Sequence, residues 1–324
     1  MHFTRRIAIF AACIGITAAP AALGQQWPAK PIRVVIPFAA GSVSEAIFRT
    51  MVPGVEAKLG QRFVVEAKPG ADGAIGTTEV VRAAPDGYTL LLAPTANFAV
   101  TPHLIKSHTY EPLTRLDPIS MLADAPLLTI VNANVPAKTL KELVDYVRAN
   151  PGKFNYGSPG TGSPAHLTGA FFSQLTGNSL VYIPYKGTVP MIQGLLANDI
   201  QMAFPTLTGV IGQLKAGKLR ALAVMAKERM AELPDVPSAV EAGFPQLVSG
   251  NWWVLAAPHG TSPLIIDRLF TEFRASLARP EVRKRIAALG HVAVGLSPGE
   301  TAAFLKSESA RYKSIVEKGN IKVE

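Results

Sequence analysis

The sequence predicts an α/β protein built from two lobes with largely parallel sheets. Apolar, strand-like runs alternate with helix-like segments along the chain, a pattern typical of βαβ units. Its 324 residues are enough for two domains. Because no long linker, internal repeat or low-complexity tract interrupts the alternation, we expect two lobes joined by crossing strands.

The N-terminus predicts export. Arg5 and Arg6 precede an apolar run that ends near Ala18, and small residues follow as far as Gly24. A basic start, an apolar stretch and a small-residue end are typical of a cleaved secretory signal, and the stretch is shorter than the ~20 residues that span a membrane. We therefore predict a signal peptide over residues 1–24, with a slightly earlier cut equally compatible, and a periplasmic protein.

Composition limits the chemistry of the mature chain. Cys13, the only cysteine, lies in the predicted signal, so we expect neither disulfides nor thiolate metal sites. Without the two signal arginines the chain has 30 basic and 23 acidic residues, a net charge of +7. No Lys/Arg-rich run interleaves with aromatic residues, so we expect no nucleic-acid binding, while general basicity and a small anionic ligand both stay open. The six histidines are scattered without an H-E-x-x-H motif, and we expect no metal and no cofactor.

Strand and helix signals follow one another in order. We predict strands at Ile32–Phe38, Arg62–Glu66, Tyr88–Ala93, Leu127–Val131, Phe154–Tyr156, Leu180–Ile183 and Leu219–Val224. We predict helices at Ser42–Lys58, Thr78–Ala83, Thr139–Asn150, Met191–Leu196, Pro263–Ala278 and Pro280–Leu289, and one that starts after Ser163 and ends at Gly177. Two of the helix starts, Ser42 with Glu45 and Thr139 with Glu142, have the spacing of a capping box.

The segment from Tyr146 to Asn198 contains no Asp or Glu over 53 residues. Its turn-rich loops, Tyr156–His166 and Pro184–Thr188, each follow a predicted strand and lead into a helix. Helix N-termini and backbone N–H groups favour anions. A further strand–turn–helix arrangement lies at Pro37–Glu45. Because ligands of α/β proteins sit at the carboxyl ends of strands, we expect a carboxylate or phosphate site between the lobes.

The Tyr156–His166 loop allows other interpretations. Gly160–Ala165 (GTGSPA) loosely matches a dinucleotide-binding loop, but the acid that would hold the ribose is missing until Asp199. Ser158 lacks the first glycine of a nucleophile elbow, and His166 has no acid nearby in sequence to orient it. Hydrolysis by Ser158 or Ser163 with His166 stays an alternative to binding, and a structural role is open for each of these residues.

Seven sequence blocks, in order, carry a family resemblance. They are Trp27–Gly41 (WPAKPIRVVIPFAAG), Val64–Gly76, Ala84–Leu91 (APDGYTLL), Tyr156–His166, Val181–Gly187 (VYIPYKG), Leu233–Gly243 (LPDVPSAVEAG) and Ala257–Pro263 (APHGTSP). Over essentially the whole mature chain the sequence resembles the substrate-binding proteins of tripartite tricarboxylate transporters, the Bug or TctC family. The resemblance implies a two-lobed periplasmic binding protein of the type II-like α/β fold, with a ligand cleft between the lobes. We assign residues 25–124 and 231–324 to lobe one and 125–230 to lobe two.

The same resemblance nominates ligand-binding residues, because backbone groups and waters at loops of both lobes hold the ligand carboxylates in this family. In lobe one the matching positions are Phe38, Ala40, Gly41, Ser42, Ser44, Thr95 and Asn97. In lobe two they are Ser158, Gly160, Thr161, Gly162, Ser163, His166, Tyr185, Lys186, Pro205 and Thr206. The family pattern AGGxxDxxAR is changed here at Ser42 and Glu45, so we expect ligand specificity to lie in that first loop.

We therefore expect a non-enzymatic, monomeric solute-binding protein. The expected ligand is a small organic carboxylate, and aromatic and dicarboxylic acids are both compatible. The resemblance implies delivery to the permease subunits of a tripartite tricarboxylate transporter. The alternatives are the serine hydrolase and a ligand-sensing module for a membrane receptor. Whether Glu45 and Lys186 contact the ligand or have structural roles stays open.

Overall fold

The computed structural model describes residues 27–105, 110–177 and 180–321. The predicted signal peptide, residues 1–24, lies outside the described residues. Within the described ranges, no helix combines the length and the apolar character that a membrane span needs.

Eleven strands in two sheets form the framework of the described chain. They are β1 (Ile32–Ile36), β2 (Phe63–Ala67), β3 (Thr89–Pro94), β4 (Leu116–Pro126), β5 (Leu128–Asn132), β6 (Asn155–Ser158), β7 (Val181–Pro184), β8 (Met202–Ala203), β9 (Leu219–Val224), β10 (Gly250–Pro258) and β11 (Val292–Ala293). The larger sheet has the order β11-β4-β10-β3-β1-β2, and the smaller has the order β7-β6-β8-β5-β9. All seven predicted strands are present, whereas β4, β8, β10 and β11 had no prediction.

Both sheets are mixed, so the prediction of largely parallel sheets is wrong. Strand β1 pairs in parallel with β2 and β3, and β6 pairs in parallel with β7 and β8. The remaining pairs are antiparallel. In the larger sheet the physical reason is the long antiparallel pair of β4 and β10. The chain leaves this sheet at the end of β4 and returns to it at the start of β10. An outward and a returning strand that lie side by side must run in opposite directions.

The expected crossing strands are present at the boundary between the sheets. The N–H of Leu127, directly after β4, donates to the carbonyl of Ser249 at 3.0 Å, directly before β10. The carbonyl of Leu127 in turn accepts the N–H of Met225 at 2.8 Å. These bonds tie both crossing segments together, so the two lobes share a hydrogen-bonded connection.

Helices cover both sheets. They are α1 (Val43–Leu59), α2 (Ala74–Val81), α3 (Thr101–Leu104), α4 (Pro112–Arg115), α5 (Leu140–Ala149), α6 (Pro164–Thr176), α7 (Thr188–Ala197), α8 (Ile211–Lys215), α9 (Pro263–Leu277), α10 (Pro280–Ala288) and α11 (Pro298–Lys318). A 3₁₀ turn at Ala71–Gly73 precedes α2, and a π-helical turn at Ala96–Val100 precedes α3. The capping box predicted for α5 is half formed. Thr139 Oγ1 accepts the N–H of Glu142, but the Glu142 carboxylate accepts the N–H of Lys138 rather than that of Thr139.

Apolar clusters fill the space on both faces of each sheet. In β1, Ile32, Val34 and Ile36 belong to one cluster and Val35 to the opposite one, as the two-residue period of a strand requires. Helix α6 of the second lobe joins the cluster that α11 also lines, and the Gln174 side chain donates to the carbonyl of Ile315 at 3.1 Å. This contact sets α6 beside the first lobe.

Candidate ligand-binding site

A cavity of about 200 Å³ lies between the two lobes. Its first wall comes from the β1–α1 loop, the 3₁₀ turn before α2, the π-helical turn and α3, and its second wall is the loop between β6 and α6. The lining residues are Phe38, Asp72, Ala96, Val100, Thr101, Leu104, Ile105, Thr161, Gly162 and Ser163. Four of them, Phe38 and Thr161–Ser163, are among the residues nominated from the sequence.

The second-lobe wall is the N-terminus of α6. Ser163 is the N-cap, its Oγ accepts the His166 N–H at 3.2 Å, and Pro164 occupies the first helical position, as predicted. Within the described chain, the N–H groups of Thr161 and Ala165 donate no hydrogen bond. Unused donors at the positive end of a helix favour an anion at this wall.

A cluster of hydroxyl groups and rings inside lobe two supports this wall. The fully buried Ser158 donates its hydroxyl to the carbonyl of Gly160 at 2.8 Å and lies 2.8 Å from the hydroxyl of Tyr182. The Tyr182 ring stacks on the His166 imidazole, with 3.9 Å between the ring centroids. The Gly162 N–H donates to His166 Nδ1 at 3.1 Å. These bonds fix the shape of the loop without a ligand.

The environment of His166 keeps its side chain neutral near pH 7. Burial lowers the pKa of His166 from its usual 6.5 to about 4. Since Nδ1 accepts the Gly162 N–H, the neutral ring carries its proton on Nε2. Among the described residues, no hydrogen bond joins the imidazole to the hydroxyl of Ser158 or Ser163. The ring therefore orients the loop and offers neither serine a base in this conformation.

Cations of the acid-free segment do not gather at the cavity. Arg148 donates to the carbonyls of Leu175 and Thr176, at the opposite end of α6. Lys153 and Lys186 are exposed and do not line the cavity. The anion-favouring character of the second-lobe wall thus comes from backbone N–H groups and hydroxyls, not from charged side chains.

Asn97 holds the first-lobe wall in place from behind. Its buried Nδ2 donates to Thr77 Oγ1 at 3.1 Å and to the carbonyl of Asp72 at 3.4 Å. A side chain at Gly73 has no room, because a Cβ there would lie 2.3 Å from Asn97 Nδ2. The nominated Asn97 therefore positions the turn that contains Asp72, and does not itself line the cavity.

The β1–α1 loop is organised differently from the sequence prediction. Glu45 Oε2 accepts the N–H of Gly41 at 2.8 Å, and Ser42 Oγ, although buried, has no hydrogen-bond partner among the described residues. The predicted capping box between Ser42 and Glu45 is therefore wrong, because the carboxylate reaches one residue further back. Ser44 is buried and its Oγ accepts the indole N–H of Trp253 at 2.9 Å.

The remaining nominated residues of lobe one lie outside the lining of the cavity. Ala40 is exposed on the β1–α1 loop. Thr95 is fully buried, and its Oγ1 accepts the backbone N–H of Trp252 at 2.8 Å. Of the lobe-one nominees, only Phe38 reaches the cavity directly.

In lobe two, the β7–α7 loop and the segment after β8 also lie outside the lining. The Tyr185 ring packs on α7, where a Cβ at Gly194 would lie 2.1 Å from its hydroxyl oxygen. The carbonyl of Pro205 accepts the Leu128 N–H at 2.9 Å, and Thr206 pairs with Leu127 in an isolated bridge. Two of the three predicted strand–turn–helix loops therefore meet at the cavity, and the third does not.

Sequence reasoning missed Asp72, α3 and the later residues of the π-helical turn, in which it had nominated Asn97. Asp72 lies in a Gly-rich turn (PGADG) that the sequence marks only as a connection between elements. Positive φ angles at Ala71 and Asp72, of 47° and 51°, show that this turn has a defined left-handed shape. The aspartate within that turn was the sequence feature that could have indicated a role at the binding site.

A second cavity, of about 660 Å³, borders the same loop. It is lined by Tyr156, Thr161, His166 and Tyr182, by residues of α6, and by the C-terminal end of α11. Of these two cavities, the smaller one brings the end of β1 against the N-terminus of α6. That geometry is the one strand-end ligand sites use.

Comparison with known proteins shows close relatives along the whole chain. The chain is 34% identical to protein BugT of Bordetella pertussis over 328 residues, covering 100% of both sequences. A Rhodopseudomonas palustris protein solved with adipate is 28% identical, with a TM-score of 0.73 over 91% of this chain and 99% of that one. MatC from Rhodopseudomonas palustris, solved with bound malate, is 29% identical, with a TM-score of 0.69 over 90% of this chain and 100% of that one.

A family model gives the same result. The model of the tripartite tricarboxylate transporter family receptor, TctC, matches residues 47–321. The matched range includes both lobes and all the lining residues of the smaller cavity except Phe38. The fold is that of the two-lobed α/β periplasmic binding proteins. The chain belongs to the TctC family of solute-binding receptors.

Proposed function

We propose that the protein captures a small organic carboxylate between its lobes and delivers it to the permease of a tripartite tricarboxylate transporter. The single observation that carries the proposal is the cavity where the N-terminus of α6 faces the first lobe. Relatives solved with adipate and with malate support a carboxylate as the ligand class. Aromatic and dicarboxylic acids are both compatible with the mixed apolar and polar lining.

The proposed carboxylate position is the second-lobe wall. The unused N–H groups of Thr161 and Ala165, and the hydroxyls of the lining residues Thr161 and Ser163, would supply hydrogen bonds there. Each bond to a charged group contributes about 1.5–3 kcal/mol, so several of them can hold a carboxylate without a buried arginine. Of the residues nominated from the sequence, we keep Phe38 and Thr161–Ser163 as direct contacts. The others are proposed to support the loops or to approach when the lobes move.

Closure is proposed to follow from contacts that both lobes make in one state only. A ligand shifts such an equilibrium by its difference in affinity for the two states. Lobe one would consist of residues 25–124 and 231–324 and lobe two of residues 125–230. The hinge would lie in the hydrogen-bonded crossing segments, where Leu127 follows β4 and Ser249 precedes β10. We propose a monomer, exported to the periplasm by cleavage of residues 1–24.

Serine hydrolysis has weaker support from the geometry. Ser158 is fully buried and its hydroxyl is engaged by Gly160 and Tyr182. His166 Nδ1 already accepts a backbone N–H. A hydrolase would need this network to break before a base could reach either serine.

The test is a thermal-shift screen of the mature protein with adipate, malate, glutarate and benzoate, followed by calorimetry of each acid that binds. A ligand at 100 times its Kd stabilises the folded state by about 2.7 kcal/mol. We expect at least one acid to give a saturable shift and to be recovered unchanged after long incubation. Turnover of the acid would support the hydrolase, and no shift with any carboxylate would contradict the proposal. Receptor-kinase genes beside this gene, in place of permease genes, would favour sensing over transport.

A further inference from the structure

Asp72 is the only charged side chain that lines the interlobe cavity within the described ranges. It is exposed, and in that part of the chain its carboxylate has neither an ion-pair partner nor a side-chain hydrogen bond. Other acids near the site are neutralised. Glu45, for example, bonds both the Gly41 N–H and Arg49. Asp72 therefore presents an uncompensated negative charge to a cavity whose opposite wall favours an anion.

The turn that contains Asp72 is held firmly in place. Four consecutive residues, Gly70 to Gly73, have positive φ angles of 129°, 47°, 51° and 86°. The Gly73 N–H donates to the carbonyl of Gly70 at 3.0 Å, and the Asp72 carbonyl accepts from the buried Asn97 side chain at 3.4 Å. Left-handed backbone is unfavourable for alanine and tolerated by Asp. The position of the Asp72 carboxylate at the cavity is thus set by the fold of lobe one.

The anion-favouring N-terminus of α6 on one wall and the Asp72 carboxylate on the other constrain the ligand. A cavity of about 200 Å³ is small, so its walls lie within the Debye length of about 10 Å and feel one another through little solvent. A dicarboxylate that placed one carboxylate on α6 would bring the other towards Asp72, and the two like charges would repel. A group that carries positive charge would instead be attracted.

We propose that the ligand is a carboxylate that also carries a protonated amine, with the carboxylate at the N-terminus of α6 and the ammonium group at Asp72. This inference rests on the proposed function, and names the ligand class of the same site. Apart from Thr101, the other lining side chains of the first wall, such as Phe38, Val100 and Leu104, are apolar and would contact the carbon skeleton. In such a ligand each charged group would face the wall that favours it.

The test uses pairs of acids that differ only in the amine: leucine with 4-methylpentanoate, phenylalanine with 3-phenylpropanoate, and glutamate with glutarate. Calorimetry on the full mature chain measures both members of each pair with wild type, Asp72→Asn and Asp72→Gly. Asn keeps the size of the side chain, and Gly suits the positive φ of 51°, so thermal melts should show both variants folded. Asp267→Asn, the same charge change at an exposed site on α9, is the matched control.

With wild type we expect the amine-bearing member of at least one pair to bind at least tenfold more tightly than its partner. Both Asp72 variants should lose that preference, and Asp267→Asn should keep it. Binding of the amine-free acids alone would overturn this inference while the proposed function stands. A preference that survives in both Asp72 variants would also overturn it. Failure of all six acids to bind would overturn this inference, whereas the proposed function would fail only if adipate, malate and benzoate also gave no binding.

Discussion

The two walls of the interlobe cavity are built on different principles. The second-lobe wall is an uncharged helix N-terminus, held by a buried network of Ser158, Tyr182 and His166 and offering unused N–H donors. The first-lobe wall is mostly apolar and contains one free carboxylate, that of Asp72. The second wall suits a carboxylate of almost any acid. The first wall distinguishes between acids.

This difference separates affinity from specificity. Backbone donors recognise the carboxylate that every ligand of the class shares, so the second wall can stay the same while ligands differ. Side chains on the first wall face the part of the ligand that varies. Substitutions in the lobe-two wall should therefore lower the affinity for all acids by a similar factor. Substitutions at Asp72 should instead change which acid binds most tightly.

The largest expected effect is at Ser163. Asp is as good an N-cap as Ser, so Ser163→Asp should keep α6 and the fold. Its carboxylate would lie where the ligand carboxylate is proposed to bind, and two unit charges 4 Å apart repel by about 4 kcal/mol at an effective dielectric constant of 20. We expect affinity for every acid to fall at least 100-fold by calorimetry, with little change in melting temperature.

Ser163→Asn is the control for that change, because it caps the helix without a charge. It should keep most of the affinity. If Ser163→Asp binds as tightly as Ser163→Asn, the carboxylate does not sit at α6 and the comparison between the walls fails.

The second prediction concerns the neutral state of His166. Its pKa in the folded state is about 4, below its usual 6.5. As the pH falls from 6.5, the unfolded chain takes up the proton first, so the stability that is fully present above pH 6.5 is lost down to pH 4. A difference of this size corresponds to about 3 kcal/mol.

Urea unfolding between pH 4 and pH 7 tests this prediction against His166→Asn, which cannot take up that proton. The wild-type advantage at pH 7 should shrink steadily towards pH 4. Parallel stability curves for the two proteins would mean that the imidazole is not held neutral, and would weaken the account of the second wall.

The third prediction concerns the hydroxyl that ties the loop to β7. Tyr182→Phe keeps the ring that stacks on His166 but removes the bond to Ser158 Oγ. We expect a loss of about 1 kcal/mol in unfolding free energy, and a loss of affinity that is similar for all acids. Tyr146→Phe, at a tyrosine whose ring packs on Phe154 in the same lobe, should change neither quantity. Equal behaviour of the two variants would show that the network does not hold the wall.

The smallest expected effect is at Glu45 on the first wall. The Gly41 N–H, followed by Arg49, lowers the pKa of Glu45 below its usual 4.5. A lowered pKa in the folded state means that the stabilisation is present above pH 4.5 and disappears as the pH falls through the folded value. Glu45→Gln should therefore cost on the order of 0.5 kcal/mol at pH 7, and progressively less as the pH is lowered below 4.5, measured by urea unfolding. A cost that does not fall with the pH would assign Glu45 a role other than this charge.

Local signals were sufficient to predict the second wall. Ser163, Pro164 and Gly177 each mark a helix end by their own chemistry, and α6 begins and ends where they indicate. Strand β9 likewise matches its prediction at both ends, because a mostly apolar run is a local property.

The first wall could not be predicted in the same way, because it depends on distant contacts. Strand β4 contains Asp117, Pro118 and Asp124, which hide the strand signal, and its pairing with β10 joins residues over 120 positions apart in sequence. Strand pairings between residues far apart in sequence decide which turn borders the cavity. The place of Asp72 at the cavity, and the burial of Ser44 against Trp253, could therefore be recognised only in the folded chain.

A crystal structure of the mature protein with a bound acid tests the central claim most directly. The account predicts one carboxylate oxygen of the ligand within about 2.7–3.1 Å of the Thr161 or Ala165 N–H, with the rest of the ligand against Phe38 and Asp72. A ligand bound in the larger cavity, or one with its carboxylate away from the N-terminus of α6, would contradict it.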